Sequence, residues 1–306
     1  MGARDLIPAL RKLAWADATT REEIQKCGVN VVPVNWYSNL PSVQEIKGSF
    51  EYADGSSAPY LDENLFDPET LAGVLDQIQQ HAVEFNPDVE GDESACERFF
   101  WKNSQFSYSD AMAYYCFIRS FRPRTIVEIG GGFSTLVALE ATRRNGSGRI
   151  VCVEPYPRKF LARNPDIHLV RQEAQSLTSA DLEEWLSEDG DVLFIDSTHT
   201  VKTGSDCLHI YLRLLPKTRR RLLVHAHDVF LPFGMPQDWL LNQQIFWTEQ
   251  YLLLALLIDN PRARALYGSS YHYAFNREAL SRMMHGRFGC GGSSFWFEYH
   301  PPGSRA

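Results

Sequence analysis

The chain of 306 residues carries 38 Asp+Glu against 30 Lys+Arg, a formal net charge of −8, and 44% of its residues are hydrophobic. At roughly 100–200 residues per domain, that allows one large domain with an appendage or two small ones. The apolar share excludes wholesale disorder, and the acidic balance argues against a nucleic-acid backbone as the main partner, since such sites need clustered cations.

The densest basic run, Lys217–Arg221, is short and directly precedes an apolar strand, so it reads as a solvated loop. Six cysteines are scattered without a Cys-x-x-Cys pair, which is neither a zinc nor a disulfide framework and fits reduced thiols in a cytoplasm. The N-terminus lacks an apolar core of signal-peptide length, and Leu6 stands where myristoylation wants Ser or Thr. The longest apolar stretch, Tyr251–Ile258, is far short of a membrane span. The expectation is a cytoplasmic protein without a membrane partner.

Along the chain, Thr20–Glu23 offers a capping box for a short helix. A Pro-, Ser- and Asn-rich stretch, Asn30–Asp67, reads as extended. Asp67–Pro68–Glu69 then supplies a cap, a first-turn proline and an early acid, and Leu71, Val74, Leu75, Ile78, Ala82 and Phe85 follow at helical spacing. Asn86–Ser94 reads as a linker, which places a mostly helical cap at residues 1–95 and a second domain at 96–306. From there helices and strands alternate: a helix at Ser109–Phe121, a strand at Thr125–Ile129, a helix at Phe133–Arg144, and strands at Arg149–Glu154 and Asp166–Arg171. A helix at Ala180–Leu186, a strand at Asp191–Asp196, a helix at Ser205–Leu215 and a strand at Leu222–His227 follow. A long helix at Trp239–Ile258 and two late strands, Ala265–Ala274 and Ser294–Tyr299, complete the pattern. Short apolar runs without alternation mark a parallel sheet buried on both faces, so the fold class is α/β: a Rossmann-like, doubly wound sheet whose ligands sit beyond the strand C-terminal ends.

The sharpest local signal is TIVEIGGGFST, Thr125–Thr135, a strand running into Gly130, Gly131 and Gly132 with a helix behind. Glycines there permit positive φ and close approach of a ligand to the backbone, and the helix start offers free N–H donors. As a dinucleotide fingerprint the run breaks, because Thr135 holds the third glycine position. Glu128 would also repel phosphates, and suits a cationic or amine-bearing ligand.

Glu128-x-Gly130-x-Gly132, with Glu154 in VCVEPYP, Asp196 in DVLFIDSTH and Asp228 in LLVHAHD, resembles the class I S-adenosylmethionine (SAM) dependent methyltransferases over roughly residues 97–300. The resemblance implies a sheet of order 3-2-1-4-5-7-6 with its last strand antiparallel. It implies that Glu128, Gly130, Gly131 and Gly132 meet the methionine moiety and Glu154 the ribose hydroxyls. Tyr156 and Glu173 fall on the adenine side, and Asp196 counts among the cofactor residues as well. The wider pattern N-x-x-F-x-x-x-D-A, E-I-G-G-G-F-S-T, F-I-D-S-x-H, H-x-H-D-x-F-L-P-F and W-T-E-Q-Y looks like a bacterial small-molecule, natural-product type subgroup, which implies a small acceptor rather than protein or nucleic acid.

In this fold strands four and five adjoin, which gathers Asp196, His199, His227 and Asp228, with His225 one pleat below as a satisfied strand histidine. One reading makes His199 or His227 a general base oriented by a carboxylate. The other places a divalent metal on Asp196, His227 and Asp228, where it lowers the pKa of an acceptor oxygen. The two acids match the magnesium ligands of catechol-type O-methyltransferases, but Val229 stands where those have an amide, and histidines point to iron, manganese or zinc. Phe230–Trp239 has the composition of a lid or pocket wall, with Phe230, Phe233, Trp239 and Trp247 as acceptor contacts. The Asn and Asp of the Phe99–Asp110 segment are candidate contacts too, Asp110 being placed to cap the Ser109 helix. The expected activity is methyl transfer to a small molecule, at oxygen, with the N-terminal region adding acceptor specificity or a homodimer contact. Two alternatives stand beside it: a metal-dependent oxidase or hydrolase on the same fold, and a non-catalytic SAM-binding protein.

Overall fold

The computed structural model describes residues 2–53 and 58–304. Their contacts form two compact units, residues 1–55 with 237–246 and residues 56–236 with 247–306.

The smaller unit holds three helices, α1 (Ala3–Leu13), α2 (Ala18–Lys26) and α3 (Val43–Lys47), and a wide π turn at Trp239–Gln243. Asp17 caps α2 by accepting the Thr20 N–H at 3.0 Å, so the box expected to open at Thr20 lies inside the helix and its hydroxyl donates back to Asp17. α3 sits within the stretch expected to be extended. Its Ser42 Oγ accepts the Glu45 N–H at 3.2 Å and the Glu45 carboxylate accepts the Ser42 N–H at 2.7 Å, a reciprocal pair that nucleates even a short helix. Ile46 is the one fully buried apolar side chain among this unit's described residues, while Trp36 is 99% exposed.

The larger unit begins with α4 (Pro68–Ile78), capped by Asp67 on the Thr70 N–H at 2.9 Å. Then come α5 (Tyr108–Phe121), β1 (Thr125–Ile129), α6 (Phe133–Asn145), β2 (Arg149–Val153), α7 (Lys159–Ala162), β3 (Ile167–Val170) and α8 (Ser179–Trp185). β4 (Val192–Ile195), α9 (Asp206–His209), β5 (Leu222–Ala226) and α10 (Glu249–Leu257) follow, and β6 (Ala263–Gly268), α11 (Ser269–Phe275), α12 (Arg277–Met284) and β7 (Phe295–Tyr299) end the unit. The seven strands form one sheet of order β3-β2-β1-β4-β5-β7-β6, and β7 alone runs antiparallel to its neighbours. This is the expected doubly wound topology. Side chains alternate across the sheet: Ile126, Val192 and Phe194 join the core under α5 and α6, while Val127, Leu193 and Ile195 join the core on the opposite face.

Five expectations change. The boundary at residue 95 falls inside this unit, because Leu75, Ile78, Ala82 and Phe85 are buried in the same core as α5. The Asn86–Ser94 linker is instead pinned alongside residues 100–102, with the Trp101 and Lys102 N–H groups donating to Asp88 and Val89. The late strand stops at Gly268 and the chain turns into α11. The long helix at Trp239–Ile258 is interrupted: Gln244 is left-handed, and α10 starts only at Glu249, with the Thr248 and Glu249 N–H groups donating to the His199 carbonyl. The helix expected at Ser205–Leu215 is α-helical for four residues and then widens into a π turn at Ile210–Leu214. No helix among the described residues is long and apolar enough to cross a membrane.

If residues 67–95 belong to the core of the larger unit, Leu75→Ala and Ile78→Ala should each cost about 2–5 kcal/mol in the main unfolding transition. A denaturation curve in which they displace only a separate, minor transition would restore the boundary at 95.

Candidate active site

β1 delivers the chain into the glycine turn. Gly130 has φ +85°, and a Cβ there would lie 1.7 Å from the Asp196 carbonyl oxygen, so β4 and the turn close on each other only through a glycine. A Cβ on Gly131 would meet Cys152 Sγ at 2.2 Å, while one on Gly132 would find nothing nearer than 3.9 Å. The surface at Gly132, where α6 begins, is therefore open to a guest. Glu154, just past β2 and half-buried, accepts the Gly131 N–H at 3.4 Å and the Tyr156 N–H at 2.8 Å. The turn and the Glu154 carboxylate thus form one ledge. The Tyr156 side chain is 83% exposed beside it, and Glu173 is exposed at the head of a 3₁₀ turn after β3.

Glu128 differs from the other strand acids. Its position in β1 turns it into the core, where Tyr114 Oη donates to Oε1 at 2.9 Å and Thr135 Oγ1 to Oε2 at 2.5 Å. Burial pushes its pKa up to about 7, against the lowering effect of those hydroxyls.

The turns after β4 and β5 bring Asp196, His199, His227 and Asp228 together, as the sequence suggested. His199 and Asp228 both hold left-handed backbone, φ +56° and +55°, a conformation that non-glycine residues keep only when their surroundings enforce it. His199 Nε2 lies 3.2 Å from Asp196 Oδ1 and 3.6 Å from Asp228 Oδ2. Its Nδ1 is 2.7 Å from Glu249 Oε2, and Glu249 Oε1 accepts the Tyr211 hydroxyl at 2.6 Å. Trp247 packs on the same imidazole at 4.4 Å between centroids. His227 Nδ1 lies 3.6 Å from both Asp196 Oδ1 and Asp228 Oδ2, and its Nε2 lies 3.4 Å from Asp110 Oδ2. One ligand atom each from Asp196, His227 and Asp228 falls within 4.8 Å of the others.

Electrostatics follow from that crowding. Burial alone would discharge His199, but Asp196 and Glu249 raise its pKa to about 10. Likewise Asp228, Asp196 and Asp110 hold His227 well above the ordinary imidazole range against its burial. Burial also opposes ionisation of Asp196, yet the two imidazoles keep it well below the carboxylate range. His225 goes the other way: burial, reinforced by the charge of His227, keeps it neutral, bonded to Ser294 Oγ at 2.6 Å and stacked on Trp296. The expectation of a satisfied strand histidine is met at Nε2 only, since its buried Nδ1 has no hydrogen-bond partner. Around the point where Asp196 and Asp228 meet, carboxylates outnumber imidazoles four to two, counting Asp110 and Glu249. Such a site suits a cationic guest.

Two of these groups hold roles that the sequence did not assign to them. Asp110 does not cap α5. It accepts Ser269 Oγ–H at 2.6 Å and the Ser293 and Ser294 N–H groups at 2.9 Å each, and those partners lie more than 150 residues away. Glu249 enters the sequence only as the acid of the W-T-E-Q-Y pattern, and nothing local to it signals that it backs His199. Asn103 spends its amide on its own turn, bonding Phe100, Gln105 and Phe106 backbone groups. Of the acceptor candidates, the Phe230 N–H donates to Gln250 Oε1 at 3.0 Å and the Phe233 carbonyl accepts from Gln250 Nε2 at 3.3 Å, which ties the lid segment to α10. Phe233 stacks against Phe275. Trp239 belongs to the smaller unit.

Residues 127–229 match the profile of a family described as a methyltransferase domain. Over that third of the chain the sequence is similar to a methyltransferase domain. The match runs from β1 to the residue after Asp228 and so spans all four strand acids. An uncharacterized protein of Archaeoglobus fulgidus is 32% identical over 136 residues, which is 43% of this chain and 61% of that one. Among solved structures, an O-methyltransferase from Bacillus cereus in complex with SAH is 16% identical, covering 78% of this chain and 96% of its own, with a TM-score of 0.39. The plantazolicin methyltransferase BamL, solved with a desmethyl analog and SAH, is 10% identical over 79% and 95%, with a TM-score of 0.38. The strand order follows from this chain's own hydrogen bonds and needs neither of those two.

The Glu128 environment is testable through folding. The native state holds this proton up to about pH 7, where an ordinary glutamate releases it near 4.5. Stability should therefore be highest below pH 4.5 on this account, fall as pH rises to about 7, and level off above. Glu128→Gln removes the titration, so the stability of wild type relative to the variant should decline across that window. Parallel pH curves would show that Glu128 ionises as in water.

Proposed function

We propose that the protein transfers a methyl group from SAM to a small-molecule acceptor, at a hydroxyl oxygen, with the acid–histidine cluster managing the acceptor's proton. The observation that carries this reading is the adjacency of an open glycine ledge bearing Glu154 to a cluster rich in carboxylates and imidazoles, within a methyltransferase domain. SAM supplies an electrophilic methyl on a sulfonium, and the protein's task is alignment. In this reading the Gly130–Gly132 backbone faces the methionine moiety with Glu128 buried beneath it, Glu154 takes the ribose hydroxyls as a bidentate acceptor, and Tyr156 and Glu173 flank the adenine. Asp196 borders both cofactor and acceptor. Phe230, Phe233 and Trp247 supply apolar walls for the acceptor.

His199 is the better placed proton acceptor, since Glu249 holds its Nδ1 and leaves Nε2 toward Asp196. As the cluster stands, however, both imidazoles keep their protons well beyond neutrality. A free base there requires another cation to take up part of the carboxylate field. That favours a divalent metal on Asp196, His227 and Asp228, and one detail supports it: His227 Nδ1 is buried and has no hydrogen-bond partner, a costly state for a polar atom unless a ligand satisfies it. The metal would act as a Lewis acid toward the acceptor oxygen.

Calorimetric titration with S-adenosylhomocysteine, with and without chelator, tests the core of this reading. Micromolar binding that survives chelation is expected, and Glu154→Ala should weaken it by about 1–3 kcal/mol, the scale for losing charged hydrogen bonds. No binding by folded protein would discard the methyl-transfer reading in favour of metal chemistry alone. Unchanged affinity in the variant would remove the ribose assignment.

A further inference from the structure

His227 is gripped from behind. Its Nε2 lies 3.4 Å from Asp110 Oδ2, both side chains being 5% exposed, and Phe106 covers the ring at 5.0 Å between centroids. A carboxylate only accepts, so the nitrogen facing Asp110 carries a hydrogen. Asp110 cannot turn away, because Ser269, Ser293 and Ser294 donate to it as described above. The chain passes over it at Gly292, where a Cβ would fall 2.3 Å from Oδ1. The other imidazole nitrogen, Nδ1, then faces Asp196 and Asp228 at 3.6 Å each, too far for a hydrogen bond to either. With a proton on it, Nδ1 is a buried donor that pairs with Asp196 and Asp228 by charge and hydrogen-bonds to neither. Without one, it is a lone pair aimed between two carboxylates, an arrangement that only a cation relieves.

We propose that Asp110 is a positioning residue, which turns His227 Nδ1 toward a divalent metal held with Asp196 and Asp228. This nitrogen donor makes the site prefer Mn2+, Fe2+, Co2+ or Zn2+ to Mg2+. The proposal rests on the metal reading above. Magnesium favours oxygen donors, whereas the later divalent metals gain from imidazole. A carboxylate behind a ligating histidine fixes its tautomer and ring orientation, and such outer partners are typically worth 10–100-fold in metal affinity.

The test uses the full chain stripped with chelator and titrated calorimetrically with Co2+, Mn2+ and Mg2+, with the visible spectrum of the Co2+ form recorded alongside. Wild type should bind Co2+ and Mn2+ at least about tenfold more tightly than Mg2+. Asp110→Asn should weaken Co2+ binding by about 10–100-fold and shift its visible bands, while leaving S-adenosylhomocysteine affinity in place. Ser269→Ala removes a different bond to Asp110 and should keep Co2+ affinity. If wild type takes up none of the three ions, the metal reading itself fails. If wild type binds and Asp110→Asn binds equally well, or Ser269→Ala loses as much, the positioning role falls. Tighter binding of Mg2+ overturns the selectivity. Should Asp110→Asn not fold, 15N spectra of Zn2+-loaded wild type decide: His227 is expected to carry its hydrogen on Nε2, and a hydrogen on Nδ1 overturns the proposal.

Discussion

One buried carboxylate orders the carboxyl edge of the sheet. Asp110, in the first turn of α5, collects donors from Ser269 at the start of α11, from Ser293 and Ser294 ahead of β7, and from His227 at the end of β5. A buried carboxylate is tolerated only when its oxygens are fully engaged, so these segments are obliged to converge on it. That convergence explains why β6 ends where it does: the Ser269 hydroxyl reaches Asp110 while its N–H donates to Ser294, and the chain leaves the sheet as α11. It also seats His225 against Ser294 and His227 against the rear of the cluster, so the same interaction that finishes the fold aims the site.

A second constraint is charge. Parallel strands deliver their C-terminal turns to one edge, and here three of the four strand acids stay at that edge while Glu128 retreats into the core beneath the glycines. The retreat matters, because burial raises the Glu128 pKa to about 7, so at neutral pH it carries less negative charge than an exposed glutamate would. Asp196 is thereby left as the acid shared by ledge and cluster: its carbonyl abuts Gly130 and its carboxylate engages both imidazoles. Left-handed backbone at His199 and Asp228 turns two functional side chains back toward that same carboxylate, a strain repaid by the ion pairs they make.

The sheet was legible because buried parallel strands write themselves as short apolar runs, and Thr125–Ile129, Val192–Ile195 and Leu222–Ala226 lie within the segments read that way. The placement of acids at strand ends was legible for the same reason, since an acid ending an apolar run has few places to point. Features set by distant partners were not. Trp239–Ile258 has the composition of a helix, but the Thr248 and Glu249 N–H groups are taken by the His199 carbonyl and Thr248 Oγ1 accepts from Val201, which stops helix formation before Glu249. Ala265–Ala274 is rich in tyrosine and small residues, a strand-like composition, until the pull of Asp110 on Ser269 is known. Asp110 itself looks like a helix cap from its neighbours alone, because nothing within ten residues names its true partners.

The departure at Val229 now has a physical account. In the resemblance that guided the sequence reading, an amide follows the second acid and serves as ligand. Here Val229 is buried in the core on the face opposite α5, and its N–H donates to the Ser293 carbonyl at 2.7 Å, so that position is spent on packing. In the proposed metal site the residue on the other side of Asp228 takes the donor role. His227 ends β5 with its ring on the α5 side, and the left-handed turn at Asp228 keeps the acid beside it while sending Val229 away. Exchanging the donor across the acid changes its element as well as its place: an amide oxygen can be borne by any exposed turn, but an imidazole directed by one nitrogen needs a partner on the other. Asp110 meets that need from a different helix, which is why the substitution at one end of β5 has to be read together with a carboxylate more than a hundred residues upstream.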